Sequence, residues 1–216
     1  MAGDLTTTLR VLTHEMRTPV GVIQGYVRML SDGRVDSADQ AKVFKQIRDA
    51  TSRVADLGDQ IDELLRWLPS DSGHPEGVVS LPALLADASA LARFGARVQI
   101  EHLHEAAVRT SDERALVRTC ATLMDTVARE SLDVVRLWTR PGADHTQDLI
   151  FSADATVDDL ASLAGPSDAG TTPLALDRGG LGMSLVCAAA VVDAHQGTLW
   201  QLAGRRAVAA LRLPGA

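Results

Sequence analysis

The run Thr13-His14-Glu15-Met16-Arg17-Thr18-Pro19 contains residue types that can carry out phosphoryl transfer. An exposed imidazole with an unprotonated ring nitrogen is a nucleophile toward a phosphoryl group. Glu15 can hydrogen-bond the other ring nitrogen of His14. Thr18 lies one helical turn further on the same face, where its hydroxyl can position a water for dephosphorylation. On spacing alone, however, an ordinary solvated histidine is the better interpretation, so the surrounding sequence has to decide.

Two long helices between about residues 4 and 68 are predicted to position this run. Their apolar residues follow one another at steps of three and four with one exception, and this rhythm is typical of helices packed along a narrow seam. Ser31-Asp32-Gly33 predicts a helix end followed by a turn. The apolar positions are Leu5, Leu9, Leu12, Met16, Val20, Ile23, Val27 and Leu30 in the first helix, and Val43, Ile47, Ala50, Val54, Leu57, Ile61, Leu64 and Leu68 in the second.

The same rhythm predicts that His14 is exposed. With Leu9 and Met16 at a positions and Leu12 at d, His14 falls at heptad position f, the furthest from the seam. A lone two-helix hairpin buries too little apolar surface to be stable, so two hairpins are expected to pair into a four-helix bundle. The sequence therefore predicts a homodimer. The alternative, in which the stripes pack on the C-terminal part of the chain, is less favoured because both stripes run the full length of their helices.

The remainder of the chain has a different sequence pattern, in which short predicted strands and helices alternate. Residues 1–68 are predicted to form the hairpin, residues 69–77 (PSDSGHPEG) a linker, and residues 78–216 a second domain in which strands and helices alternate. The pattern favours an α+β fold with helices on one face of a mixed sheet. Predicted strands cover 78–81, 98–103, 134–138, 148–152, 198–202 and 207–213; predicted helices cover 84–92, 112–132 and 181–195; residues 154–180 are predicted to be irregular.

Composition excludes several classes of partner. The formal net charge is -7 and the chain has no basic block, which argues against nucleic acid or an anionic membrane surface as the main partner. The longest apolar stretch, Leu181 to Val192, is too short to span a bilayer, and no signal-peptide pattern is present. Cys120 and Cys187 have neither metal-site nor disulfide spacing, and two buried thiols in a cytoplasmic protein are expected.

The segment HEMRTPVGVIQGYVRML, which begins at His14, resembles the phosphoacceptor box of the histidine kinase family, H-E-[LM]-R-T-P followed by an apolar helix. The likeness is contiguous and includes the proline inside a helix. It implies that the hairpin dimerises and that His14 exchanges phosphate with an Asp of a response-regulator receiver domain. By the same resemblance, Glu15 is the acid/base partner of His14 and Thr18 is a candidate phosphatase residue.

The C-terminal domain is similar to the ATP-binding domain of that family. VVSLPALLADASALARFGARVQIEH is similar to its opening strand, helix and strand, and Val192 to Trp200 resembles a later helix-to-strand exit. Gly179 to Val186 resembles the second glycine box, whose glycines and following helix N-terminus suit phosphate. The resemblance therefore implies nucleotide-binding roles for Gly180 and Gly182.

Other nucleotide-binding positions depart from the family pattern. In the Mg²⁺-binding box, N-L-L-x-N-A, the two asparagines are replaced by Thr122 and Thr126, and a threonine hydroxyl is a poorer ligand than an amide oxygen. The first glycine box has lost both glycines, and Asp154 matches its aspartate only with a shift of one position. A vestigial nucleotide site is predicted, consisting of Asp125, Thr126, Asp154, Gly180 and Gly182.

Three functions are consistent with the sequence. The favoured one is a phosphotransfer protein in which His14 passes phosphate between receiver domains and requires no cofactor, because losing the metal ligand and adenine pocket argues against robust autophosphorylation. The second is a divergent kinase that uses ATP and Mg²⁺. The third is a non-catalytic dimeric scaffold or inhibitor. Receiver docking is expected on exposed helix faces that include Arg17, Gln24, Arg28, Lys42, Lys45 and Gln46.

A metal site is not expected. His102 and His104 fall on one strand face, but no third and fourth ligands stand out nearby, and a solvated strand end is the better interpretation.

Overall fold

The structure, a computed structural model, describes residues 5–67, 77–156, 165–166, 168–176, 181 and 183–216. The helices are α1 (Leu5–Ser31), α2 (Gln40–Trp67), α3 (Leu81–Leu91), α4 (Glu113–Glu130) and α5 (Ser184–Ala194). The strands are β1 (Gly77–Ser80), β2 (Val98–His102), β3 (Ala107–Thr110), β4 (Val135–Pro141), β5 (Thr146–Ser152), β6 (Thr171–Pro173), β7 (Thr198–Leu202) and β8 (Val208–Pro214).

The N-terminal hairpin forms as predicted. Helix α1 continues through the buried Pro19 and ends at Ser31, where Gly33 adopts a positive φ of 65°. The backbone N–H of Asp32 donates to the carbonyl of Arg28, and that of Arg34 to the carbonyl of Met29, so the glycine closes the last turn. The chain then returns antiparallel as α2, ending at Trp67. The predicted linker lies almost entirely outside the described residues.

The C-terminal domain is a helix-covered mixed sheet, which confirms the predicted fold class. Six strands lie in the order β2-β4-β5-β8-β7-β6; β2 is parallel to β4 and the other pairs are antiparallel. β1 and β3 form a separate antiparallel ribbon. The main core lies between one sheet face and helices α3, α4 and α5, and includes Leu85, Leu123, Phe151, Val191 and Leu211.

The opposite sheet face is also partly buried. Ile150, Trp200, Val208 and Ala210 form an apolar cluster there. Beside it, Asp148 is fully buried and accepts hydrogen bonds from Arg212 at 2.6 and 2.8 Å and from Arg140 at 3.3 Å. The hydrogen bonds that Arg212 donates to Asp148 raise the pKa of Arg212 further above its ordinary value.

The hairpin packs on the C-terminal domain. Val11, Leu57 and Leu64 form a buried cluster with four residues at the start and inner face of α5, namely Met183, Val186, Cys187 and Ala190. The less favoured alternative, in which the apolar stripes pack on the C-terminal part of the same chain, is therefore partly correct. Leu57 and Leu64 of the α2 stripe are covered in this way. The α1 stripe remains open in several places, where Leu5, Leu9, Met16 and Val27 are exposed.

The buried His195 connects the end of the hairpin to α5 and to the residues that precede α4. The Nδ1 of His195 lies 2.7 Å from the carbonyl of Val191, and its Nε2 accepts the backbone N–H of Ser111 at 3.2 Å. Its ring also contacts the ring of Trp67, the last residue of α2, with centroids 5.7 Å apart. Burial lowers the pKa of His195, against smaller opposing contributions from the bond to Val191 and the Asp112 charge, so the ring is held in the neutral form.

Both thiols are buried, as the sequence predicts. Cys120 and Cys187 are free cysteines, and burial raises the pKa of each to about 12. In the part of the chain that the structure describes, no helix is long and apolar enough to cross a membrane.

Candidate functional site

His14 lies exposed on α1 and lines a cleft of about 730 Å³ between the hairpin and the C-terminal domain. Glu15, Thr18 and the buried Pro19 line the same cleft. The geometry thus brings together His14 and the two residues predicted to act with it. The imidazole is open to an incoming phosphoryl group, as a nucleophile requires.

The remaining walls of this cleft carry many charges. Helix α2 contributes Arg53, Asp56, Leu57 and Gln60, because its antiparallel course brings its middle opposite His14. The C-terminal domain contributes Arg93, Asp125, Arg129, Leu181 and Ser184. Three guanidinium groups and three carboxylates therefore line the space in front of the histidine.

A set of polar contacts fixes the hairpin against the first turn of α5. The backbone N–H of Met183 donates to Gln60 Oε1 at 2.9 Å, and Gln60 Nε2 donates to the hydroxyl of Ser184 at 3.4 Å. The thiol of Cys187 lies 3.3 Å from the carbonyl of Gln60. Arg118 on α4 pairs with Glu63 on α2 at 2.6 Å. These bonds, with the apolar cluster beneath them, set the width of the cleft.

His14 also borders a second, shallower groove on the outer side of α1. Thr6, Leu9, Arg10, Thr13 and Arg17 line this groove of about 370 Å³ with it. The histidine thus lies between a cleft that faces its own C-terminal domain and a surface open to another protein.

The structure places Thr126, a residue of the predicted nucleotide site, in the core of the C-terminal domain. Its side chain is fully buried, and its hydroxyl donates to the carbonyl of Thr122 at 2.6 Å. A hydroxyl that is turned into the core and bonded to its own helix cannot ligate Mg²⁺ in the cleft.

Asp125 and Asp154 are likewise occupied by other contacts. The carboxylate of Asp125 accepts the backbone N–H groups of Arg93 and Phe94 at 3.2 and 3.1 Å, so it holds the chain that follows α3. Asp154 accepts the N–H and hydroxyl of Thr156 at 2.9 and 2.6 Å and pairs with Arg205 at 2.8 Å. The bonds from Thr156, with the charge of Arg205, lower the pKa of Asp154.

The described residues of the predicted nucleotide site therefore do not fit Mg²⁺ and ATP. Asp125 lines the cleft but serves the backbone, Thr126 is inaccessible, and Asp154 is paired. Gly180 and Gly182 lie outside the described residues, so their predicted roles stay predictions.

The residues predicted to dock a receiver domain lie on the open surface of the hairpin. Arg17, Gln24, Arg28, Lys42 and Lys45 are exposed and Gln46 is half-buried. Lys45 forms a pair with Asp49 one turn on, at 3.1 Å, which leaves the surface accessible. Their role stays a prediction.

His102, the last residue of β2, makes structural contacts. His102 stacks on the ring of Trp138 with centroids 4.7 Å apart, and its Nδ1 lies 3.1 Å from the carbonyl of Thr139. Within the described ranges, no three His, Cys, Asp or Glu side chains lie close enough to hold a metal ion.

Sequence reasoning missed Arg53, Arg93 and Arg129 as cleft residues. Arg53 and Asp56 lie on the same face of α2 as Leu57 and Gln60. The antiparallel pairing of the two helices could therefore have predicted that they lie near His14. No local signal brings Arg93 toward His14, because a contact 32 residues away at Asp125 sets its position.

Comparison with known proteins agrees with the sequence resemblance. Residues 4–67 match the model of the His Kinase A (phospho-acceptor) domain. No curated protein sequence matches the chain.

Solved structures share the fold at low sequence identity. The Acinetobacter baumannii histidine kinase AdeS aligns with a TM-score of 0.56 at 18% identity, over 93% of this chain and 97% of that one. Histidine kinase ThkA, solved in complex with the response regulator protein TrrA, aligns with a TM-score of 0.58 at 18% identity, over 99% of this chain and 62% of that one. Full-length ShkA, solved in complex with AMPPNP, has a TM-score of 0.55 at 16% identity, over 96% of this chain and 45% of that one.

The hairpin thus carries a phosphoacceptor-type domain, and the whole chain has the fold of the histidine kinases, as the recognised resemblance implies.

Proposed function

We propose that the chain is a histidine phosphotransfer protein that exchanges phosphate with a response-regulator receiver domain and requires no ATP. The observation that carries the proposal is the contrast between the phosphoacceptor residue and the residue at the predicted metal position. His14 is exposed, whereas Thr126, at the position of the family's metal ligand, is fully buried and bonded to Thr122. The phosphoacceptor keeps its access while the described part of the nucleotide site has lost its ligands.

The transfer step is a substitution at phosphorus. A ring nitrogen of His14 attacks the aspartyl phosphate of the receiver, the P–O bond to the aspartate breaks, and the carboxylate leaves as the new P–N bond forms. In this step we assign Glu15 the role of accepting a hydrogen bond from the other ring nitrogen, which would keep the attacking nitrogen unprotonated. The reverse substitution by a second receiver aspartate returns His14 to its starting state.

The exposed face of the hairpin around His14 supports a receiver domain as the partner. ThkA, whose fold this chain shares, was solved with a response regulator. Here the outer groove beside His14 and the exposed side chains of Arg17, Gln24 and Arg28 offer a continuous surface for a receiver domain. The exposed apolar positions Leu5, Leu9, Met16 and Val27 support pairing of two hairpins as a homodimer.

The test charges a panel of receiver domains with acetyl phosphate, removes the small donor, and adds the full-length protein without nucleotide. Acid-labile, alkali-stable phosphate is expected on the wild-type chain and on His102→Gln, which replaces another exposed histidine. It is expected to be absent from His14→Gln. Failure of every receiver to label wild-type protein contradicts the proposal.

A second function is supported by one specific observation. The cleft joins His14 directly to Asp125 and Arg129 of the C-terminal domain, which is the arrangement that transfer from a nucleotide held by that domain needs. An active kinase predicts labelling of His14 by ATP and Mg²⁺ alone. Signalling that survives His14→Ala instead identifies a non-catalytic scaffold.

A further inference from the structure

The cleft in front of His14 contains arginines whose charges the fold does not use. Arg53 on α2 and Arg93 after α3 both line it, and within the described parts of the chain neither guanidinium has an ion-pair or hydrogen-bond partner. The planar guanidinium of an arginine binds best to a carboxylate or a phosphoryl group, to which it can donate two hydrogen bonds. Two such side chains at one cleft, beside a phosphoacceptor, indicate the chemical class of the missing partner.

The position of Arg93 is set by a contact between its backbone and Asp125 of α4. Asp125 accepts the backbone N–H groups of Arg93 and of Phe94, which fixes the chain from which the Arg93 side chain projects. The carboxylate of Asp125 is thereby engaged with backbone N–H groups and forms no ion pair with the Arg93 guanidinium. Of the other cleft carboxylates, Glu15 is next to His14 and Asp56 lies three residues after Arg53. Arg129 adds a third positive charge to the same walls.

We infer that Arg53 and Arg93 form a phosphoryl-binding subsite that holds the phosphoryl group carried by His14 while the C-terminal domain is docked on the hairpin. The domain thus retains a role in phosphate handling after its described nucleotide ligands are lost. The inference rests on the proposed function for the source of the phosphoryl group, but not for the subsite itself. Arg53 and Arg93 are positioning residues that bind the oxygens of the phosphoryl group, and the covalent step stays at His14.

Two measurements on the full-length protein test the subsite without any receiver domain. The first is a titration with inorganic phosphate, followed by the NMR signals of the His14 ring and the arginine side chains. Each of Arg53→Gln and Arg93→Gln is expected to weaken phosphate binding about tenfold, the loss of one charge-assisted hydrogen-bonding group. Arg48→Gln, an exposed arginine on the same helix that does not line the cleft, is expected to bind like wild type.

The second measurement uses protein loaded at His14 with phosphoramidate and follows the ³¹P signal against pH. Neighbouring guanidinium groups stabilise the dianion, so the second proton of the phosphoryl group should dissociate at lower pH in wild type than in either Gln variant. Arg93→Lys, which keeps the charge, should move the midpoint less than Arg93→Gln does. A purely structural role of Arg93 predicts no such difference between the two variants.

The outcomes separate this inference from the proposed function. Phosphate binding and ³¹P midpoints that are the same in wild type, Arg53→Gln and Arg93→Gln overturn the subsite, whether or not receivers label His14. Arginine-dependent phosphate binding with no labelling by any receiver retains the subsite and rejects the relay. Weak phosphate binding that is equal in every variant, Arg48→Gln included, is non-specific and also overturns the subsite.

Discussion

The side-chain carbonyl of Gln60, in the second helix of the hairpin, accepts the backbone N–H of Met183 at 2.9 Å. Met183 precedes the first turn of α5 and has no side-chain cap of its own, so the hairpin supplies the acceptor that this helix N-terminus needs. The bond therefore ties the element that carries His14 to the domain that forms the opposite wall of its cleft.

Replacing Gln60 by Ala should weaken this docking contact. Loss of the cap and of the bond to Ser184 is expected to cost about 1 kcal/mol in the free energy of unfolding. Amide hydrogen exchange of Cys187 and its neighbours in the first turn should become faster. Chemical denaturation and exchange mass spectrometry measure both effects, with Gln46→Ala, near the start of the same helix, as the matched control. An unchanged exchange rate in α5 contradicts this reading of the contact.

Asp148 should be critical for stability although it does not line the cleft of His14. It is fully buried between Arg212 and Arg140, so Asp148→Ala leaves two partly buried arginines without their counter-charge. The expected loss is about 3 kcal/mol in the free energy of unfolding, measured by urea denaturation. Asp144→Asn, an exposed position whose φ of 53° asparagine tolerates, should change stability by less than about 0.5 kcal/mol. Equal effects of the two substitutions would reject a special role for the buried cluster.

Stability should fall on acidification because of His195. Its folded pKa lies below the ordinary value, so between the two values the unfolded chain binds the proton more readily. The contribution of the neutral ring is complete above the ordinary pKa near 6.5 and is lost as the pH falls from there toward the folded pKa, by at most about 1.4 kcal/mol per pH unit. Protonation would also set a ring N–H against the N–H of Ser111.

The measurement is the free energy of unfolding from pH 8 to pH 5 for wild type and His195→Gln, with His145→Gln as an exposed control. The wild-type and His145→Gln curves should run parallel, while the His195→Gln curve should be flatter below about pH 6.5. A slope that persists in His195→Gln would assign the acid sensitivity to other groups.

Restoring the family asparagine at position 126 should not restore nucleotide binding. The side chain is fully buried, so Thr126→Asn places a larger amide in a packed core and is expected to destabilise the protein by about 1–3 kcal/mol. Thermal unfolding with and without Mg²⁺ and ATP should give the same midpoint for Thr126→Asn. Thr122→Asn, at the half-buried first position of the same box, serves as the control. A nucleotide-dependent rise in Tm in Thr126→Asn would show that the site can be rebuilt by one residue.

The sequence predicted the long elements well and the contacts between them poorly. The 3–4 rhythm placed both hairpin helices to within a few residues because it records the packing of the whole helix face. Strand β3 was not predicted, since Ala107 to Thr110 is a four-residue run without a clear alternation. Strand β6 was missed because it has three residues and ends at Pro173, a residue that an edge strand tolerates.

Residue roles were predictable where one run of sequence carried them. His14, Glu15 and Thr18 lie on a single helix, and the structure brings them to one cleft. The roles of Asp125 and Gln60 depend on partners 32 and 123 residues away, which no local pattern specifies. Asp112 caps α4, because its carboxylate accepts the N–H of Ala115 at 3.0 Å, while the neighbouring Ser111 bonds His195.

The most direct test of a phosphotransfer role for His14 is a paired labelling experiment on the full-length protein. One sample receives ³²P-labelled receiver domains and no nucleotide, and the other receives γ-³²P-ATP with Mg²⁺ and no receiver. We predict acid-labile label on His14 in the first sample within minutes and none in the second. Label from ATP alone, with none from any phosphorylated receiver, would contradict the account and identify the chain as a self-sufficient kinase.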